Sequence, residues 1–60
     1  MQYEEEYHVQ VHSARTWVTL DVCDTEREAI DSLNFQDDGI RSCRIIRTTQ
    51  VTLIQRSRAK

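Results

Sequence analysis

His8, His12, Cys23 and Cys43 carry the most specific chemistry in this chain. Imidazole and thiolate are zinc ligands, and two histidines four residues apart chelate well when a helix stacks them on one face. These two do not sit in a helical pattern. Tyr7, Val9 and Val11 alternate with His8, Gln10 and His12, which is the period-two signature of a half-buried strand. On a strand, residues four apart are separated by about 13 Å, at ~3.3 Å per residue. Both imidazoles cannot then reach one ion at zinc bond lengths of about 2 Å. No Cys-x-x-Cys pair supplies an alternative, so the sequence predicts no metal site and no cofactor. Cys23 and Cys43 read as free thiols at strand ends.

Catalytic groupings fare no better. Asp21, Asp24, Glu28 and Asp31 read as a strand edge, a helix cap and a solvated helix face. A Cys–His nucleophile pair needs a pocket around it. Sixty residues leave little room for the usual pocket of a few hundred cubic ångströms. The expectation is a protein that is not an enzyme.

The element that must organise these residues is Asp24 to Phe35. Thr25 and Glu28 have the spacing of a capping box, with Asp24 as a competing cap. Asp24, Glu26 and Glu28 place negative charge where the helix dipole favours it. Ala29, Ile30 and Leu33 form a narrow apolar stripe, Arg27 can pair with Asp31, and Asn34 reads as the stop. About ten helical residues are marginal alone, so strands must supply a surface. Before the helix, Tyr7 to Val11 and Thr16 to Val22 alternate in period two. Ser13-Ala14-Arg15 lacks the Asn or Gly of a two-residue turn, which predicts a longer loop. After it, Gly39 suits a positive φ in the turn. Alternation then resumes from Arg41 and runs to Arg56 without Gly, Pro, Asn or Asp. One long or bent strand is favoured there, over two strands turning at Thr48-Thr49-Gln50.

The expected fold is therefore α+β: a small antiparallel sheet with one helix on one face, in the order β-β-α-β, with a fourth strand if the last run turns. Residues 1–60 form one domain, with 1–5 and 57–60 mobile at its ends. The expected core is Tyr7, Val9, Val11, Val18, Leu20, Val22, Ala29, Ile30, Leu33, Phe35, Ile40, Cys43 and Ile45. His8, Gln10, His12, Trp17, Thr19, Arg44 and Ile46 then occupy the opposite sheet face, which one helix cannot also cover.

Charge is unevenly spread. All ten acids lie at or before Asp38, with only Arg15 and Arg27 against them, for a net −8. The remainder holds six basic residues and no acid. Such polarity bears on partners and steering, unless the two halves face each other within the fold. The acidic start MQYEEEYH has no apolar run, and no stretch approaches a membrane span. The expected setting is cytoplasmic, without membrane attachment.

These features favour protein binding. Trp17, Arg44 and Ile46 on the open sheet face are suitable anchors, since Trp and Arg dominate binding hot spots. Asp24, Glu28 and Asp31 on the helix offer an acidic surface to a basic partner. The last strand offers an unpaired edge for a homodimer. The alternative is a single-strand nucleic-acid module using Trp17, Arg44, Arg47, Arg56 and Arg58. The acidic total, with an isoelectric point near 5.5, weighs against it.

The paired runs VQVHSARTWVTLDV, the capped segment DTEREAIDSL and the return strand SCRIIR resemble the layout of very small phage-encoded proteins that inhibit host machinery. The likeness spans about residues 7–47. It implies a non-enzymatic inhibitor, of RNA polymerase or of a CRISPR effector complex for example, that acts by docking or charge mimicry.

Overall fold

The computed structural model describes residues 5–58. The expected mobile residues 1–4 and 59–60 lie outside that range. Four strands and one helix follow in the order β1 (Tyr7–Ser13), β2 (Thr16–Cys23), α1 (Glu26–Gln36), β3 (Cys43–Arg47) and β4 (Thr52–Arg56). The strands form one sheet in the spatial order β2-β1-β3-β4, with every neighbouring pair antiparallel. β2 and β3 therefore run parallel to each other with β1 between them. A parallel pair needs a crossover connection, and α1 supplies it. The fold is α+β, as the sequence predicts.

Thr25 caps the helix as expected. Its backbone is extended (φ −130°, ψ 155°), and its hydroxyl oxygen accepts the Glu28 N–H at 3.2 Å. The Glu28 carboxylate takes the Thr25 hydroxyl at 3.2 Å rather than the Thr25 backbone N–H. Asn34 does not end the helix, which runs on to Gln36 and is capped by Asp37, whose N–H donates to the Leu33 carbonyl. Among the described residues, Arg27 makes no ion pair with Asp31.

The core is smaller than the sequence predicts. Val9, Val11, Ala29, Leu33, Cys43 and Ile45 are buried; all but Val11 form one cluster, and Tyr7, Cys23, Ile30, Leu53 and Ile54 pack against it. Val9, Leu33 and Ile45 have no exposed surface at all. Burying a side chain of this kind contributes about 1.5–3 kcal/mol, so these three carry much of the stability of a small domain. Val18, Leu20 and Val22 do not join them and are 40–48% exposed. Val18 keeps the helix side, opposite Val11; for Leu20 and Val22 the cause is a bulge. Val9 pairs with Asp21, but Gln10 pairs with Thr19, so Leu20 is an extra residue in β2. From Asp21 onward the alternation is inverted. Asp21 and Cys23 take the helix side, and Val22 stands opposite His8 on the open side. Phe35 and Ile40, also expected inside, are 87% and 77% exposed.

Both turn expectations are corrected. β1 and β2 are joined by only Ala14 and Arg15, with Ser13 paired to Thr16. Both linking residues have positive φ (51° and 69°), as the tight hairpin turn demands. The run after Arg41 is two strands, not one. It reverses at Thr48 to Gln50, where Gln50 adopts φ 66° and donates its N–H to the Arg47 carbonyl. A second bulge, at Leu53, puts Ile54 rather than Leu53 opposite Ile45. Gly39 has the positive φ expected of it, 75°.

Candidate functional site

Helix α1 packs on the sheet side that carries Val9 and Ile45, so the other side stays open. The strand registers place His8, Gln10 and His12 of β1, Trp17, Thr19 and Val22 of β2, Arg44 and Ile46 of β3, and Thr52 and Gln55 of β4 on that open side. A side-chain chain crosses three strands there. Thr19 Oγ1 accepts from Gln10 Nε2 at 3.0 Å, and Gln10 Oε1 accepts from Arg44 Nε at 2.8 Å. The Arg44 guanidinium carbon lies 4.1 Å from the Trp17 ring centroid. The His12 ring meets Trp17 edge-on, with centroids 5.2 Å apart. This roof buries Gln10, the one buried polar side chain among the described residues. At the other end of the face, His8 stands between Val22 and Ile46 in the register and pairs with Glu6 at 3.4 Å.

The six residues singled out for protein binding fall into two groups. Trp17, Arg44 and Ile46 share the open face. Asp24, Glu28 and Asp31 lie on or just before α1, exposed on the opposite side of the molecule. No single flat partner surface can touch both groups. Gln10 and His12 were legible as open-face positions from their alternation. Their role in fixing Arg44 and Trp17 needed the cross-strand register.

The charge halves do meet within the fold. Asp37 accepts from Arg56 Nη1 at 2.9 Å and from Arg58 Nη2 at 2.8 Å. Asp38 accepts from Arg41 Nε at 3.0 Å, and Glu5 lies 3.7 Å from Arg47 Nε. The Gly39 N–H, with Arg56 and Arg58, holds the Asp37 carboxyl down at about 2. The N–H groups of Arg41 and Ile40 hold Asp38 at about 2 as well. Of the five arginines after Gly39, Arg44 alone forms no ion pair among the described residues. Arg58 is also tied by its N–H to Ser42 Oγ at 2.8 Å, so the expected mobile tail is anchored at that point.

The chain matches no protein-family model, no curated protein and no solved structure.

The remaining chemistry is quiet. Cys23 pairs in register with Tyr7 and Cys43 with Val11, so the two free thiols stand toward opposite ends of the sheet. Burial pushes both thiols above their ordinary range, which disfavours the nucleophilic thiolate. Ser32 Oγ donates to Asp21 Oδ2 at 2.7 Å and lowers the Asp21 carboxyl, pinning the helix to β2. Among the described residues, no three His, Cys, Asp or Glu side chains group to hold a metal, and no helix is long and apolar enough to cross a membrane.

Proposed function

We propose that this protein is a non-enzymatic binding module that docks a partner protein on its open sheet face, through Trp17, Arg44 and Ile46. The observation that carries this reading is the Arg44–Trp17 pair at 4.1 Å. A cation over an indole face is worth about 0.5–1 kcal/mol when exposed and ~2 when desolvated, so a partner that excludes water strengthens it. The pair is preorganised by Gln10 and His12, which reduces the ordering cost of binding. Arg44 has no carboxylate of its own among the described residues. The matching partner surface presents a carboxylate to Arg44 beside apolar groups that meet Trp17, Ile46 and Val22. Action by occupying such a surface is that of a small cytoplasmic inhibitor, the class the layout resembles.

The nucleic-acid alternative needs Arg47, Arg56 and Arg58 as well as Arg44. Ion pairs with Glu5 and Asp37 already engage those three. Phosphate contacts there must displace carboxylates, which weighs against this reading.

The test is partner capture by the immobilised wild type, followed by reconstitution with the purified partner. Trp17→Ala and Arg44→Glu are expected to weaken that complex at least about tenfold, or ~1.4 kcal/mol. Undiminished binding by both folded variants overturns the proposal.

A further inference from the structure

A cleft of about 660 Å³ opens at one end of the sheet, and its walls are basic. Ser13, Ala14 and Arg15 line it from the β1–β2 turn, Arg41 and Ser42 from the loop before β3, and Arg58 from the segment after β4. No acidic residue lines it. Asp37 and Asp38, which pair with the arginines at this end of the sheet, stand against four guanidiniums there: Arg15, Arg41, Arg56 and Arg58. Asp37 is shared by Arg56 and Arg58, Asp38 serves Arg41, and Arg15 has no ion pair among the described residues. Two positive charges are left over. The turn that brings Arg15 to the rim is held with both its residues at positive φ, a conformation that costs about 1–2 kcal/mol per non-glycine residue.

We propose that this cleft binds a small phosphate monoester. Guanidinium groups recognise phosphate oxygens through charge-assisted, often bidentate hydrogen bonds, and Arg15 is the lining guanidinium free to make them, while Arg41 and Arg58 keep their carboxylates and add positive charge around it. The Ser13 and Ser42 hydroxyls add neutral partners. The volume falls within the ~300–1,000 Å³ of small-molecule sites and leaves space beyond a bare anion. Ala14 and the largely exposed Ile40 give the organic part of the ester an apolar wall. The cleft adjoins the docking surface at His12, which lines it and meets Trp17, but phosphate binding there does not depend on whether that surface binds a protein.

The test is an amide NMR titration of the ¹⁵N-labelled full chain with ribose 5-phosphate, inorganic phosphate and ribose at constant ionic strength. Saturable shifts confined to the amides around Ser13 to Arg15 and Ile40 to Ser42 are expected with the ester. Inorganic phosphate is expected to bind the same amides at least about tenfold more weakly, and ribose not at all. Arg15→Gln is expected to weaken the ester about tenfold or more. Arg27→Gln makes the same charge change on the exposed helix and is expected to leave binding intact. Absence of saturation, equal binding of inorganic phosphate, shifts with ribose, or equal losses in the two variants each overturn the proposal.

Discussion

The Arg44 guanidinium carbon stands 4.1 Å from the centroid of the Trp17 ring, on the sheet face that the helix leaves open. The two residues come from strands that are not neighbours, and β1 lies between them. Gln10 of β1 makes the connection, accepting from Arg44 and donating to Thr19 beside Trp17 in β2. Arg44→Gln removes the stacked cation and leaves the buried Gln10 oxygen without its charged donor. A cost of about 1–2 kcal/mol is expected. Trp17 is the only tryptophan, so its emission reports both the contact and unfolding. Urea titrations should show a lower midpoint and a shifted native spectrum. An unchanged spectrum means the pair does not form in solution.

The β1–β2 turn holds Ala14 and Arg15 at positive φ, where Asn and Gly are far better suited. Ala14→Asn combined with Arg15→Gly is expected to stabilise the protein by about 1 kcal/mol or more. Thermal melts of the two proteins check this, and a lower melting temperature for the double variant contradicts the turn geometry.

The bulge at Leu20 makes a sharp contrast within the apolar residues. Ile45 is fully buried and Val22 is 48% exposed. Ile45→Ala should cost about 2–5 kcal/mol, enough to unfold much of so small a domain. Val22→Thr should stay within about 0.5 kcal/mol. Chemical denaturation of both variants tests the register. A large loss at Val22 restores the uninterrupted alternation and removes the bulge.

Asp37 and Asp38 are each lowered from the ordinary 3.8 to about 2 by backbone N–H groups and arginines. Their folded values lie below their unfolded ones, so the stabilisation is complete above about pH 4 and is lost as pH falls toward 2. Urea midpoints measured from pH 5 to pH 2 should fall through that window. Asp37→Asn should lower the midpoint at pH 5 and flatten the decline. A parallel decline in the variant rules out Asp37 as a source.

Much of the fold was legible because its signals were local. Thr25 and Glu28 mark the helix start, the odd positions of β1 mark a buried face, and Gly39 marks a left-handed turn. What escaped was set by pairing rather than by residue type. Leu20 and Leu53 look like ordinary members of alternating runs, and only the neighbouring strand makes each an extra residue. Ala14, Arg15 and Gln50 carry no turn signature, because pairing of the strands on either side holds them at φ values their side chains disfavour. Trp17, Arg44 and Ile46 were placed on the open face from alternation alone, since Trp17 precedes the bulge in β2 and the extra residue Leu53 lies in β4, leaving the alternation of β3 intact. The acidic positions Asp24, Glu28 and Asp31 were legible as exposed, but their separation from Trp17 by the thickness of the molecule was not.

The most direct test of the docking face is quantitative capture from a lysate of the source cell. It uses immobilised wild type, Trp17→Ala, Arg44→Glu and a Glu28→Lys/Asp31→Lys double variant, with bound proteins identified by mass spectrometry. The open-face account predicts one protein retained by the wild type and by the helix variant, and reduced at least about tenfold with Trp17→Ala and Arg44→Glu. Retention of that protein by both face variants, with loss on the helix variant, contradicts the account and moves the docking surface to α1.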